Sequence, residues 1–488
     1  MGQTTLNIHP GGGSGGPTPP SHQDLYAKRE QIYPKLAHGK FRLVKWVVMA
    51  ATLGVYYLLP WLRWERGEGI PDQAVLADFE SEKFYFFFVE IWPQDIHFLA
   101  GLLILAALAL FLVTSLLGRV WCGYTCPQTV WTDLYIWVER AFEGDRAARM
   151  RLDKGKWTFN KAWRKLGKHT VWLIIAFWTG GAFILYWHDA PTVARGWFTG
   201  EAPLSAYWFA GLLTLTTYFL AGWMREQVCI YMCPWPRIQA ALTDEYALNV
   251  TYRYDRGEPR GPKRKSESWD ERGDCIDCDQ CVQVCPVGID IRNGPQLECI
   301  HCALCIDACD QMMTKIGRPT GLIAYDTDVA VAARAAHQTP PKYRILRTRT
   351  VLYSVLIAAI GGLIIWGLAT KATIEANVLK DRSPPFVQLS DGDIQNGYTL
   401  KLVNKLAEPR QMEISITGIE GLSFNVIGFE HEGSEPLIVP VEPYGVDRYR
   451  VLVSAPEGAP QRQITLSVRD TVSEETDTNR ASFRGPNR

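Results

Sequence analysis

The segments CIDCDQCVQVCP (residues 275–286) and CIHCALCIDAC (residues 299–309) form an internal repeat in which every cysteine recurs after 24 residues. In each copy, three cysteines spaced C-x-x-C-x-x-C can surround one [4Fe-4S] cluster, while the fourth reaches away to the other cluster. The first quartet is then Cys275, Cys278, Cys281 and Cys309, and the second is Cys285, Cys299, Cys302 and Cys305. The repeat therefore predicts two [4Fe-4S] clusters and the transfer of single electrons.

A pair of four-cysteine zinc sites is the alternative, because C-x-x-C pairs are also typical of zinc proteins. Zinc needs only two such pairs per site, so it gives no reason for a third cysteine and a crossed fourth one. Asp310 stands where the first copy has Pro286, a difference that does not involve a ligand. The spacing favours the clusters.

The composition indicates a membrane protein. The chain has 488 residues, enough for about three domains, and 47% of them are hydrophobic. The formal net charge is zero, so no nucleic-acid partner is expected. Five apolar segments are long enough, or nearly so, to cross a bilayer, at residues 46–62, 96–117, 170–187, 204–224 and 351–370. The run 84–89 is too short to span and predicts an interfacial or re-entrant piece.

The distribution of Lys and Arg predicts the orientation. Residues 118–169 carry 11 Lys and Arg, whereas residues 63–94 carry 3 against 7 acidic residues. The positive-inside rule then places the amino terminus, the 118–169 loop and the cysteine repeat in the cytoplasm. Five crossings place the carboxy terminus on the opposite side. All twelve cysteines precede residue 310, as expected if thiols and clusters face the reducing compartment.

The predicted fold class is a multidomain membrane protein. It combines a five-helix transmembrane bundle, an α+β two-cluster ferredoxin-like cytoplasmic domain and an all-β immunoglobulin-like sandwich at the carboxy terminus. The sandwich follows from short alternating apolar runs separated by turn residues, and it suits a docking module. The predicted boundaries are 1–24 (disordered cytoplasmic tail), 25–253 (four spans), 254–316 (cluster domain), 317–350 (linker), 351–370 (fifth span) and 381–488 (sandwich).

A second pair of cysteine motifs lies at the predicted cytoplasmic ends of spans two and four. CGYTCP contains Cys122 and Cys126, and CIYMCP contains Cys229 and Cys233. Cysteines four positions apart share a helix face, and the proline favours a bend before a new helix. Soft thiolates favour Cu(I) over Cu(II), so these cysteines could bind copper and promote its reduction. They could also alternate between dithiol and disulfide, or be buried apolar side chains.

Other candidate ligands are weaker. Met232, beside Cys233, is a possible thioether ligand, although methionine is more often an apolar filler at a membrane interface. His97, His169 and His188 lie near the ends of predicted spans, and no facing pair indicates a buried haem.

These features occur together in one known family. The chain resembles the cytochrome c oxidase accessory proteins of the CcoG/FixG/RdxA type over about residues 25–488, especially in GRVWCGYTCPQTVW at residues 118–131. The resemblance implies a bacterial inner-membrane protein that helps to assemble a cbb-type haem-copper oxidase by reducing Cu(II) to Cu(I). It assigns the eight repeat cysteines to the clusters, and Cys122, Cys126, Cys229 and Cys233 to copper binding and reduction.

Three hypotheses remain open. The first is this cupric reductase, with copper as substrate, electrons from a cytoplasmic donor or a quinol, and copper-delivery and oxidase-assembly proteins as partners. The second is a quinol dehydrogenase-type membrane ferredoxin that passes electrons from menaquinol; such proteins as a rule lack the fifth span and the outer sandwich. The third is a non-enzymatic scaffold whose clusters sense the redox state.

Overall fold

The computed structural model describes residues 31–485, except 68–69, 80, 264–268, 270–271, 407, 432 and 457–460. The predicted tail at residues 1–24 lies outside this part of the chain. The described residues divide into two compact units, a helical one with the cysteine-rich region and a second one that contains the carboxy-terminal strands.

Helices form most of the first unit. Helices α1 to α14 run, in chain order, over Lys40–Leu58, Ile96–Leu117, Val120–Tyr124, Pro127–Glu143, Arg146–Lys154, Phe159–Ile184, Ala190–Thr199, Leu204–Thr217, Trp235–Leu242, Tyr254–Gly257, Gln280–Val284, Leu304–Lys315, Asp328–Ala335 and Thr348–Ala369. Two π-helical segments, Tyr218–Met224 and Val228–Met232, follow α8. Short 3₁₀ turns occupy Leu59–Trp61, Pro93–Asp95 and Ile291–Asn293.

Four helices in the described part of the chain are long and apolar enough to cross a membrane. They are Lys40–Trp61, Ile96–Leu117, Leu204–Met224 and Thr348–Ala369, and they coincide with the first, second, fourth and fifth predicted spans. The predicted third span lies mostly within α6. This helix is not among the four, because its first half carries lysine, arginine and histidine side chains.

The run 84–89, predicted to be an interfacial or re-entrant piece, forms β-strands. The run belongs to a three-stranded antiparallel sheet of β1 (Val75–Asp78), β2 (Lys83–Phe86) and β3 (Val89–Ile91). Within β2, Tyr85 is buried and its neighbour Phe86 is exposed. The strand thus has the usual alternation of faces, which an unbroken row of aromatic residues conceals in the sequence.

The cysteine repeat lies between two paired strands. Strand β4 (Asn249–Tyr252) pairs antiparallel with β5 (Ile323–Asp326). The α+β region therefore extends beyond the predicted limits 254–316, because β4 lies before residue 254 and β5 lies after residue 316. The segment 317–350, predicted to be a linker, contributes both β5 and helix α13.

The second unit contains a two-sheet sandwich. Strands β6 to β14 run over Ile374–Lys380, Val387–Gln388, Ile394–Asn404, Arg410–Thr417, Ser423–Val426, Leu437–Val441, Val446–Ala455, Arg462–Asp470 and Thr476–Phe483. One sheet has the order β10-β12-β8-β6, with β7 also pairing β8, and the other has the order β11-β9-β13-β14. Leu400, Ile414, Val453 and Leu466 belong to the buried core between them. These strands account for the short alternating apolar runs of the carboxy-terminal sequence.

Shortening a core side chain should destabilise the sandwich. Leu466 is 0% exposed, so Leu466→Ala removes buried methyl groups and leaves a cavity, at a cost of about 2–5 kcal/mol. The control is Leu379→Ala, because Leu379 is 55% exposed. Calorimetry of the full-length protein should show a lowered unfolding transition for Leu466→Ala alone. Equal shifts in both variants would contradict the assigned core.

Candidate metal centres

The two copies of the cysteine repeat fold alike. Asp277 and Asp279 in the first copy have φ values of 55° and 55°, and their counterparts His301 and Ala303 have 52° and 60°. Residues other than glycine rarely adopt this left-handed conformation, so its recurrence 24 positions later is specific. It turns the backbone sharply between successive cysteines. Helices α11 and α12 then begin directly after the second turn of each copy.

Each crossed quartet surrounds its own cavity. The cavity of the first quartet, about 20 Å³, is lined by Cys275, Cys278, Cys281 and Cys309. The cavity of the second quartet, also about 20 Å³, is lined by Cys285, Cys299, Cys302 and Cys305. Cys281 borders both cavities, so they are neighbours. The structure therefore brings together the same quartets that the spacing predicts.

The surroundings of these thiols suit a cationic centre. Burial raises the pKa of the Cys285 thiol to about 11 and the pKa of the Cys281 and Cys299 thiols to about 12. A positively charged metal centre favours the thiolate form in such a place. Within the described residues, no three His, Cys, Asp or Glu side chains converge closely enough to hold a single metal ion. Four separated thiols around a cavity are the donor set of a [4Fe-4S] cluster.

Arg292 lies on the wall of the first cavity. Its guanidinium pairs with the carboxylates of Asp277, Asp279 and Asp290 at 2.5, 2.6 and 2.7 Å. This ion-pair group ties the first turn of the repeat to the segment that follows Cys285. Charges and hydrogen bonds this close to a cluster site influence its reduction potential.

The two C-x-Y-x-C-P motifs form similar bends. The Cys126 N–H donates to Trp121 O at 2.9 Å, and the Cys233 N–H donates to Val228 O at 2.8 Å. Both cysteines have an extended ψ, of 128° and 122°. The following helix begins at Pro127 in the first motif and at Trp235 in the second. The proline thus marks a bend and a new helix, as the sequence predicts.

The helical unit brings the two motifs together. The Cys122 thiol donates to Gln239 Oε1 at 3.2 Å, and Gln239 lies in the helix after the second motif. Burial, the nearby thiols of Cys126, Cys229 and Cys233, and the opposing effect of Arg119 set the pKa of Cys122 at about 12. Burial, the nearby thiols of Cys126 and Cys233, and the carboxylate of Glu226 raise the pKa of Cys229 to about 12.

None of the twelve cysteines forms a disulfide. All four thiols of the C-x-Y-x-C-P motifs therefore remain available in one region. Met232, the weaker candidate ligand, is 57% exposed.

The first motif packs directly on the loop of the second quartet. A Cβ atom added at Gly123 would lie 2.8 Å from Ile300 O and 3.0 Å from Cys302 Cα. Only glycine permits this close approach of two backbones. The neighbouring Tyr124 hydroxyl donates to Cys302 O at 3.3 Å. The thiol pair of the first motif and the second cluster site are therefore joined through backbone contacts.

Arg119 connects the same two sites electrostatically. It is 7% exposed, and its guanidinium donates to Cys299 O at 3.2 Å, to Pro236 O at 2.7 Å and to Leu297 O. Its backbone N–H donates to His301 Nδ1 at 3.3 Å. In the part of the chain that the structure describes, no carboxylate forms an ion pair with it. A net positive charge therefore lies between the second quartet and the motif thiols.

Arg119 lies within the first motif, but the sequence alone predicted no role for it. The sequence likewise predicted no role for Gln239 or His301. The only available signal was the position of Arg119, three residues before Cys122. The contacts themselves join segments more than a hundred residues apart.

Family models match three parts of the chain. Residues 224–328 match "4Fe-4S dicluster domain", a range that contains the second motif and all eight repeat cysteines. Residues 99–143 match "4Fe-4S binding domain" and contain the first motif. Residues 364–486 match "IG-like fold at C-terminal of FixG", in agreement with the observed sandwich.

Two relatives cover nearly the whole chain. "Nitrogen fixation protein FixG" of Rhizobium meliloti (strain 1021) is 47% identical over 492 residues, which is 95% of this chain and 94% of the relative. "Protein RdxA" of Cereibacter sphaeroides is 49% identical over 439 residues, 90% of this chain and 92% of the relative. The crystal structure of a FixG-related protein from Vibrio parahaemolyticus is 21% identical, with a TM-score of 0.19, and covers 23% of this chain and 95% of that one.

Neutralising Arg119 should change the second cluster site selectively. Arg119→Gln removes one positive charge, so the reduction potential of one cluster should fall by on the order of 50–100 mV. Redox titration followed by electron paramagnetic resonance would measure both potentials in the purified protein. Arg195→Gln is the control, because it changes the net charge equally in α7. Unchanged potentials, or equal shifts at both clusters, would contradict the assigned role.

Proposed function

The chain belongs to the FixG/RdxA family, and from this premise we propose that it reduces Cu(II) to Cu(I) for the assembly of a cbb-type haem-copper cytochrome c oxidase. Family membership and the matching iron–sulfur models make it an iron–sulfur redox protein of the membrane. The observation that carries the copper-specific proposal is the contact between the first thiol motif and the second cysteine quartet, through Gly123 and Arg119.

The eight repeat cysteines are the proposed cluster ligands. Cys275, Cys278, Cys281 and Cys309 hold one [4Fe-4S] cluster, and Cys285, Cys299, Cys302 and Cys305 hold the other. The two neighbouring cavities and the matched turns of the repeat support this assignment over two zinc sites. When bound, such clusters accept and donate single electrons. Reduction of one Cu(II) ion consumes one electron.

Cys122, Cys126, Cys229 and Cys233 are the proposed residues for copper, which is the substrate. Thiolates bind Cu(I) more tightly than Cu(II), so they favour the reduced product. Metal binding must displace the thiol protons, which burial otherwise retains on Cys122 and Cys229. The buried guanidinium of Arg119 favours this loss of protons, because it stabilises negative charge on Cys122.

We also propose that α6 is a fifth membrane span. Its exposed side chains include Trp163, Leu173 and Trp178, whereas Lys168 is buried and pairs with Glu143 at 2.8 Å. The basic side chains are thus turned towards the protein and leave an apolar outer face. The helix has 26 residues, a length of about 39 Å at roughly 1.5 Å per residue, which exceeds the roughly 30 Å of a bilayer core.

Five spans give the proposed topology in a bacterial inner membrane. The amino terminus and both cluster sites face the cytoplasm, and the carboxy-terminal sandwich lies in the periplasm. There the sandwich can dock copper-delivery or oxidase-assembly proteins. This domain also distinguishes the chain from quinol dehydrogenase-type membrane ferredoxins, which as a rule lack it.

Removing the first thiol pair should separate copper reduction from cluster assembly. In the double variant Cys122→Ala, Cys126→Ala, we expect normal cluster absorbance but at least a tenfold loss of Cu(I) formation, because soft ligands for the product are absent. The protein would be reduced anaerobically and mixed with Cu(II) and a chelator that traps Cu(I). Cluster reoxidation and Cu(I) formation would be followed together.

Two controls accompany this experiment. Met232→Ala should leave Cu(I) formation unchanged, whereas Cys281→Ala should lose cluster absorbance. Normal Cu(I) formation by the double variant would refute the proposed role of the pair.

Substituted cysteines would test the fifth span. Glu201→Cys lies after α7 and Lys154→Cys lies before α6, so α6 should place them on opposite sides of the membrane. In intact spheroplasts, a membrane-impermeant maleimide should label Glu201→Cys, whereas Lys154→Cys should need lysis. Labelling of both positions without lysis would rule out the span.

A further inference from the structure

A cavity of about 230 Å³ lies among helices α1, α4, α6 and α8 of the helical unit. Its walls include the apolar side chains of Phe183, Leu213 and Leu220. Pro127, the residue after Cys126, also lines it, so the cavity extends to the first thiol motif. This volume is below the roughly 300–1,000 Å³ that drug-sized ligands occupy. It suits one ring system whose tail remains outside.

Polar groups gather on one wall of this cavity. Thr179 Oγ1 lies 2.7 Å from the Tyr57 hydroxyl and accepts a hydrogen bond from Trp131 Nε1 at 3.0 Å. The Tyr56 hydroxyl donates to Thr179 O at 2.7 Å. Thr179, Tyr56 and Trp131 all line the cavity. Polar groups between membrane helices are costly to bury, and they commonly mark functional sites.

Gln128 adds an acceptor to this wall. Its side-chain amide nitrogen donates to Leu220 O at 2.8 Å and to Arg225 O at 3.1 Å, which fixes the orientation of the amide. Its Oε1 atom accepts no hydrogen bond from any residue that the structure describes. A ligand hydroxyl in the cavity could therefore donate to Oε1 without displacing a protein contact.

Gln128 also lines a second, polar cavity. This cavity has about 30 Å³ and is lined by Asp133, Glu226 and Cys229 among others. A water molecule needs roughly 10–15 Å³, so the second cavity has room for one or two. Gln128 therefore lines both an apolar, ring-sized space and a smaller one that has room for water beside carboxylates.

We propose that the 230 Å³ cavity binds the ring of a lipid-soluble quinol, the electron donor of this protein. A quinol reaches the site from the bilayer, and its hydroxyl groups donate to Gln128 Oε1 and to the hydroxyl oxygen of Tyr56, whose proton is already donated to Thr179 O. A lipid acyl chain could fill the apolar part but would leave the Gln128 oxygen without a donor. The proposal concerns binding at this cavity and does not depend on copper as the final acceptor.

The number of electrons released by quinol oxidation matches the number of cysteine quartets. A quinol that becomes a quinone loses two electrons and two protons, and the two cysteine quartets provide for two one-electron acceptors. The two protons leave past Gln128 to water in the polar cavity, where Glu226 is one of the carboxylates.

The test uses the full-length protein in lipid nanodiscs that contain no quinone. An azido derivative of a short-tailed ubiquinol is added anaerobically to protein whose clusters are already reduced, photolysed, and mapped by peptide mass spectrometry; competition with unlabelled decylubiquinol gives the affinity. We expect labels within residues 127–140 and 175–185. Gln128→Leu and Tyr56→Phe should each weaken binding about five- to tenfold, the loss of one hydrogen bond of roughly 1–1.4 kcal/mol.

Thr214→Val is the matched control. Thr214 is on α8 and its hydroxyl donates to Ala210 O at 2.6 Å, but it does not line the cavity. Cluster absorbance checks that each variant is folded. Bleaching of the cluster absorbance by anaerobic decylubiquinol gives a second readout in the wild-type protein. Labels spread over lipid-facing helices, or equal affinity in all four proteins, would show that the cavity holds lipid only and would overturn the proposal. A failure of copper reduction would leave quinol binding unaffected.

Discussion

The buried carboxylate of Glu139 holds the two thiol motifs at one place. It is 3% exposed and accepts hydrogen bonds from Arg149 at 2.9 Å, Lys168 at 3.4 Å and Arg225 at 3.1 Å. Burial opposes its ionisation, but Arg225 and the other cations outweigh this effect and hold the pKa of Glu139 at about 2. Because α4 begins at the first motif and Arg225 precedes the second, this one group fixes both motifs. A buried ion left without partners costs several kcal/mol, so the arrangement is strongly specified.

The same interaction changes the meaning of the positive charges in residues 118–169. Their number predicts a cytoplasmic loop, and this region contains α3, α4, α5 and the start of α6. Arg149 and Lys168 are buried partners of Glu139, and Lys165 pairs with Glu143 at 3.0 Å. Several of the charges that indicate orientation therefore also bind helices together. Because these charged side chains face the protein, a count of charged residues does not reveal that the outer face of α6 is apolar.

Local spacing was the most informative part of the sequence. The two quartets could be predicted because the ligands of each cluster follow a short, fixed pattern, and the sandwich strands because their alternation is local. The strands within the run 84–89 could not be predicted, because six consecutive apolar side chains conceal which face is buried. Arg119 and Gly123 could not be given roles, since their partners at Cys299 and Cys302 are about 180 residues away. Thr179 likewise gains its neighbours only when α1, α4 and α6 pack together.

The close approach at Gly123 has a consequence for maturation. Its backbone lies against Ile300 and Cys302, so the final position of the thiol motif and that of the 299–302 loop depend on each other. In the proposed assignment, that loop is shaped by the insertion of iron and sulfide. Cluster insertion would then also complete the region that handles copper. A cell short of iron would hold membrane-inserted chains whose copper-handling region is unfinished, and its supply of one metal would control its use of the other.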